Sequence, residues 1–370
     1  MAELARTRSG PEPAQGQGQG QDSAPAPWIA VQAQQLLAQR GHAWLLHGPS
    51  GLGQYELALT LARAWLCEKR HDTALAGTAS ASAAGRIENA LRLGCGHCAS
   101  CHAIDVRTHA DLCVLMPETR MIELAWPLHE KAQSDIDDKK RKASKEIRVE
   151  AMRDAIEFTQ RTRARAAGKV VLVFPAERMN LITANALLKT LEEPPGEVRF
   201  VLATEAAHQL LPTIRSRCLS HSMQWPAAET AAVWLQQRGV PLAETDALLK
   251  AAGGRPQDAL DYAQSGRAAR SWQGLPKAMA RGDVAYAKEW SAPQLIDAVH
   301  KLCHDLLAQA VGAAPRFYAL QDLPATPSVL ALTDWSRELR QSTRSMEHPF
   351  NPGLMQEALV LIAKKALKTP

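Results

Sequence analysis

The stretch HGPSGLGQYELALTLARAWLC, residues 47 to 67, decides how the rest of the chain is read. It runs from an apolar strand pattern, AWLLHG (43 to 48), through a glycine-rich turn into a helical pattern, the layout of a phosphate-binding loop. Such a loop cradles phosphates with backbone N–H groups and a helix N-terminus. It adds a Lys for the outer phosphates and a small hydroxyl for magnesium. Gly48, Gly51 and Gly53 keep the backbone path, but Gln54 stands where the Lys belongs and Tyr55 where the Ser or Thr belongs. Gln54 carries no charge, and Tyr55 holds its hydroxyl too far out on a rigid ring to ligate a metal compactly. Alone, the stretch also fits an ordinary strand-to-helix turn.

Working outward, DLCVLMP (111 to 117), KVVLVF (169 to 174) and VRFVLAT (198 to 204) are further β-rich runs separated by helical patterns. This alternation predicts an α/β domain, a parallel sheet with helices on both faces, over residues 27 to 222. An ATPase of this kind needs an acidic pair at the end of a buried strand. KVVLVF instead runs into Phe174 and Pro175, and Glu177, beyond the strand end, is the one displaced candidate.

Two stretches read as surface insertions: TALAGTASASAAG (73 to 85) and the charged EKAQSDIDDKKRKASKEIR (about 130 to 148). Residues 1 to 26, rich in Gly, Gln, Pro and Ala, predict a disordered tail. Residues 223 to 269 predict a small helical lid module divided by GGRP (253 to 256), and residues 270 to 370 a helical domain suited to oligomer assembly. Within the latter, Leu295, Ile296, Val299, Leu302, Cys303, Leu306 and Leu307 draw one apolar stripe. Asn351 followed by Pro352 marks the start of the last helix.

A length of 370 residues predicts two or three domains, and 46% apolar residues suffice for full cores. A formal charge of +5, with no basic run interleaved with aromatics, argues against tight nucleic-acid binding by the chain alone. The N-terminal residues lack the apolar core of a signal peptide, and no stretch has the roughly 18 apolar residues of a membrane span. The expectation is a cytoplasmic protein with no membrane contact.

Seven cysteines include CGHCASC, with Cys95, Cys98 and Cys101 at successive C-x2-C spacings, near enough to aim three thiolates at one ion. A structural Zn2+ needs a fourth ligand, for which Cys113, His97, His102 and His109 are available. A four-iron cluster, which usually continues to a Cys followed by Pro, and unligated cysteines are the competing readings.

The stretch TANALLKTLEEPPGEVRFVLAT (183 to 204), followed by LLPTIRSRC (210 to 218), closely resembles the clamp-loader branch of the AAA+ proteins. The bacterial loader combines ATP-hydrolysing tau/gamma subunits with two partners, delta and delta-prime, that resemble them without hydrolysing ATP. The altered loop beside an intact SRC and a cysteine cluster is similar to the non-hydrolysing side, and the similarity runs from Trp28 onward, looser after residue 270. It implies a hetero-oligomer with tau/gamma and delta, acting through the complex on a sliding clamp and primed DNA. It implies no functional ATP binding in this chain, whose Gly48, Gly51, Gly53, Gln54, Tyr55 and Thr204 would line a degenerate nucleotide site. It assigns Arg217 of SRC as an arginine finger given in trans to the neighbour's ATP site, with Ser216 and Cys218 shaping its turn. It makes Cys67, at the end of the loop helix, the fourth zinc ligand in an excursion spanning about 67 to 113. In GGRPQDAL it places Gln257, with Arg255 adjacent, where active relatives carry a phosphate-sensing Arg. Membership in the polymerase III holoenzyme follows from the resemblance, yet nothing in the chain resembles a polymerase active site. An active clamp-loader-type ATPase with atypical catalytic residues is the alternative, and a zinc-dependent DNA-binding module fits poorly without a basic helix after the cysteines.

Overall fold

The protein is described by a computed structural model that covers residues 24–69, 93–165, 167–264, 269–344 and 351–368. The expected tail up to residue 23 and the stretch at 73 to 85 lie outside the described residues.

Five parallel strands form one sheet: β1 (Ala43–His47), β2 (Leu112–Leu115), β3 (Lys169–Val173), β4 (Val198–Thr204) and β5 (Leu219–Ser222), in the order β2-β3-β4-β1-β5. Their alternation sends side chains to both faces, and both faces are dry. Trp44, Leu46, Val170, Leu172, Val201 and Ala203 pack on one side with helices α1 (Pro27–Leu37) and α2 (Gln54–Leu66). Leu45, Val171, Val173, Phe200 and Leu202 pack on the other against α6 (Val149–Gln160) and α7 (Leu181–Glu192).

The expected α/β architecture is therefore present, with four strands where the apolar runs put them. The fifth, β5, carries no apolar alternation. It is an edge strand whose residues, Leu219 to Ser222, are exposed or half-buried, and it is held by its pairing with β1 and by the Met223 N–H donating to His47 O at 2.8 Å.

Between the first two strands lies α3 (Ala99–Asp105). After β2 come α4 (Glu118–Glu123) and α5 (Glu130–Asp137), neither with a buried residue. The charged run is thus a solvated helix at its start, but not throughout. Arg141 forks onto Glu118 at 2.5 and 2.8 Å, and Ile147 is fully buried in the sheet core.

Beyond a short α8 (Pro212–Arg215) and β5, the chain is helical. The helices α9 (Ala228–Gln237), α10 (Leu242–Ala251) and α11 (Pro256–Gln264) share one core, built on Trp234, Leu235, Leu248 and Leu260. A larger core gathers α12 (Ala269–Arg281), α13 (Val284–Ala287), α14 (Ala292–Ala310), α15 (Val329–Arg344) and α16 (Pro352–Lys368). The stripe read on α14 faces this core, with Leu307 at its margin. Asn351 caps α16, its Oδ1 accepting from Gly353 N at 2.9 Å. Among the described residues no helix is long and apolar enough to cross a membrane.

Candidate functional site: glycine loop, arginine and four cysteines

The loop joins β1 to α2 as a phosphate loop would, with Gly51 (φ 79°) and Gly53 (φ 92°) in the left-handed region that favours glycine. At Gly48 a side chain would meet Met223 at 2.9 Å. The cradle is closed from inside. Gln54 is 2% exposed, and its Nε2 donates to the carbonyls of Gly48 and Pro49, both at 2.8 Å. An amide nitrogen has two hydrogens, so both are engaged by the loop itself.

Tyr55 turns away. Its hydroxyl accepts from Trp126 Nε1 at 2.7 Å and its ring lies 5.5 Å from that of Phe174, so burial pushes its phenol up. Thr204 is fully buried, and its hydroxyl donates to Glu177 Oε2 at 2.6 Å. The displaced carboxylate and the strand-end threonine therefore serve each other, and Glu177 Oε1 also accepts from Glu205 N at 3.3 Å.

The side chain that comes down on the loop from α11 is neither Gln257 nor Arg255 but Asp258. A Cβ built on Gly51 would lie 2.3 Å from Asp258 Oδ1. Asp258 pairs with Arg255 at 2.8 Å, while Gln257 donates to Asp261 at 3.2 Å. Burial pushes the Asp258 carboxyl up, and Arg255 only partly offsets it. A carboxylate here repels a phosphate. In the sequence Asp258 is an acidic residue just past the GGRP divider, and the structure places it in the first turn of α11.

Arg217 lies on the turn between α8 and β5, where its N–H donates to Ile214 O at 3.1 Å. Its Nε donates to Glu192 Oε1 at 2.5 Å, its Nη2 also contacts that oxygen, and Nη1 donates to Thr213 O at 2.8 Å. Ser216 donates to the same carbonyl at 3.1 Å. Cys218 packs at the margin of the sheet core, where burial raises its thiol to about 12. Glu192 stands inside the LEEPP motif but had no visible partner in the sequence.

The four cysteines converge. The sulfurs of Cys67, Cys95, Cys98 and Cys101 all lie within 4.8 Å of one another, with Cys67–Cys98 and Cys95–Cys101 at 3.9 Å, and all four are free thiols. A tetrahedral zinc with Zn–S of about 2.3 Å sets its sulfurs about 3.8 Å apart, so this donor set and spacing fit one such ion. Backbone N–H groups point inward as well: Cys95 N to Cys67 Sγ and Cys98 N to Cys95 Sγ at 3.3 Å, and Cys101 N to Cys98 Sγ at 3.4 Å. Burial raises the Cys95 thiol, but the N–H groups of His97 and Cys98 and the neighbouring thiols outweigh it and bring it down to about 6. Cys67 arrives as the residue that ends α2. The reserve ligands are elsewhere: Cys113 packs beside the sheet core, His97 faces Lys69 at 3.0 Å, His102 is exposed, and His109 Nδ1 accepts from Asp111 N at 3.0 Å.

The chain as a whole is similar to known proteins. Residues 28–226 match the family described as DNA polymerase III, delta subunit. The delta-prime subunit of DNA polymerase III from Pseudomonas aeruginosa is 31% identical, over 90% of this chain and 96% of that protein. The delta-prime subunit from Escherichia coli K12 is also 31% identical, over 72% of this chain and 66% of that protein. Among solved structures, a gamma subunit-related protein from Thermotoga maritima aligns with a TM-score of 0.43 at 15% identity, over 92% of this chain and all of that one. With a parallel α/β core, a glycine loop leading into its first crossover helix and this degree of identity over most of its length, the chain belongs to the clamp-loader AAA+ family of DNA polymerase III delta-prime subunits.

Proposed function

We propose that this chain is a non-hydrolysing subunit of the polymerase III clamp loader, which helps place the sliding clamp on primed DNA and lends Arg217 to the ATP site of a neighbouring subunit. The observation that carries the reading is Gln54, whose amide is engaged by the carbonyls of its own loop. Three features support it: no cation stands at the loop's Lys position, Tyr55 is committed to Trp126, and Asp258 crowds Gly51.

The partners under this reading are tau/gamma and delta in a cytoplasmic hetero-oligomer. Arg217, a permanently charged planar fork, stabilises charge on a phosphoryl group in flight. Cys67, Cys95, Cys98 and Cys101 would hold a structural Zn2+, which ties the end of α2 to α3 where little apolar core exists.

Two measurements test the reading. Titration of the purified chain with a fluorescent ATP analogue and magnesium is expected to show no binding up to about 1 mM. Micromolar, magnesium-dependent binding would favour the active-ATPase alternative instead. In the reconstituted loader, Arg217→Ala is expected to assemble normally yet slow ATP hydrolysis and clamp loading, and an unchanged hydrolysis rate rejects the finger.

A further inference from the structure

The ion pair at Arg217 carries a consequence for the trans site, one that rests on reading Arg217 as the finger. We infer that Glu192 is a positioning residue: it presets the Arg217 guanidinium, together with the carbonyl of Thr213, so that the end of the fork is presented to a phosphate of the neighbouring subunit.

A guanidinium has five N–H groups. Glu192 Oε1 takes one from Nε and one from Nη2, and Thr213 O takes one from Nη1. Two remain, one on each terminal nitrogen, and a phosphate can draw on both. The side chain is held yet reachable, with 32% of Arg217 and 47% of Glu192 exposed.

Helix stability does not account for Glu192. It is the last residue of α7, where the helix dipole disfavours a carboxylate, and Arg217 is the cation that offsets it. Nor is the pair strong enough to withhold the arginine, because half-exposed ion pairs contribute little while a charge-assisted phosphate contact contributes more. Its effect is to select one rotamer of a side chain that otherwise has many. The finger then reaches the transition state with less entropy to lose.

The test uses the full reconstituted loader carrying wild-type chain, R217A, E192A, E192Q or the double variant R217A/E192A. The fall in kcat for ATP hydrolysis caused by R217A defines the Arg217-dependent rate. E192A is expected to reduce that component about three- to tenfold with KM for ATP unchanged. E192Q, which keeps an acceptor oxygen, should retain more of it. The double variant should match R217A alone, a non-additivity that a loss of folding or assembly would not produce. Equal melting temperatures and elution volumes verify that the variants fold and assemble. An E192A rate equal to wild type while R217A is slow overturns the positioning role, as does a rate that rises or a further loss in the R217A background. An R217A rate equal to wild type overturns the finger itself, and this inference with it.

Discussion

A single atom decides the character of the glycine loop: the Nε2 of Gln54, neutral and bonded to Gly48 and Pro49. A lysine there would bring a charge-assisted phosphate contact of about 1.5–3 kcal/mol, whereas the amide gives its loop neutral hydrogen bonds of about 1 kcal/mol each. Here the side chain stabilises a turn. Cys67 shows the same economy of local placement. It closes the cysteine cluster from the end of α2, far in sequence from the other three, with its sulfur 3.9 Å from Cys98. With the four cysteines holding zinc as proposed, Cys67→Ser should lower bound zinc well below one per chain and reduce the melting temperature by several degrees, because a serine hydroxyl is a poor zinc ligand. Metal analysis after gel filtration decides it, and one retained zinc per chain would show that Cys67 is dispensable. The three clustered cysteines were legible from spacing alone, since a local turn brings them together. Cys67 was legible only through the family resemblance, and Glu192 and Trp126 not at all, because their partners Arg217 and Tyr55 lie on distant elements.

At the level of elements, the glycine loop and helix α11 form one unit. Asp258 presses on Gly51, and its carboxyl is pushed up by burial more than Arg255 pulls it down. A carboxyl raised in the folded state contributes stability at low pH that is lost as pH climbs through its folded value, upward from the ordinary 3.8. Asp258→Asn removes that dependence. The melting temperature of the variant minus that of the wild type should be more positive at pH 7 than at pH 4, and a difference that stays constant or shrinks would mean the ionised form is well accommodated. The sheet shows where sequence patterns stop. The buried strands β1, β3 and β4 and the edge strand β2 announce themselves as apolar runs, whereas β5, with the sequence LSHS, owes its conformation to the hydrogen bonds of β1. Likewise, Ile147 lies within a run of charges, followed by Arg148, and enters the core because Thr183 and Arg178 bond its backbone. Composition does not register such long-range pairing.

Across the whole molecule, the three helical and α/β cores are joined by ring contacts, Trp28 with Trp234 at 5.1 Å and Tyr262 with Trp272 at 6.3 Å, and at the junction between the last two also by a polar contact organised by Asp305 of α14. This carboxylate is fully buried on a helix otherwise read as an apolar stripe. It accepts from the backbone N–H groups of Arg316, Phe317 and Tyr318 at 2.9, 2.8 and 2.8 Å. The strand of chain so fixed does the joining: Arg316 donates to Gly253 O at 3.1 Å, the Phe317 ring lies against Gly253, and Tyr318 stacks on Trp272 at 4.6 Å. Asp305→Ala would leave three N–H groups without their acceptor, each costing about 1–3 kcal/mol unless water replaces it, so a loss of about 3–5 kcal/mol is expected. Asp305→Asn, which keeps one acceptor oxygen but turns an NH2 toward one of the donors, should fall between the two. Urea unfolding followed by tryptophan fluorescence reads the difference. If the alanine variant lies within about 1 kcal/mol of wild type, below the cost of even one fully orphaned donor pair, the segment is held by Tyr318 and Phe317 packing and the carboxylate is incidental. If the loss is as large as expected, the buried acid is what fixes the 316–318 segment, and with it the contacts that Arg316 and Phe317 make with the GGRP turn.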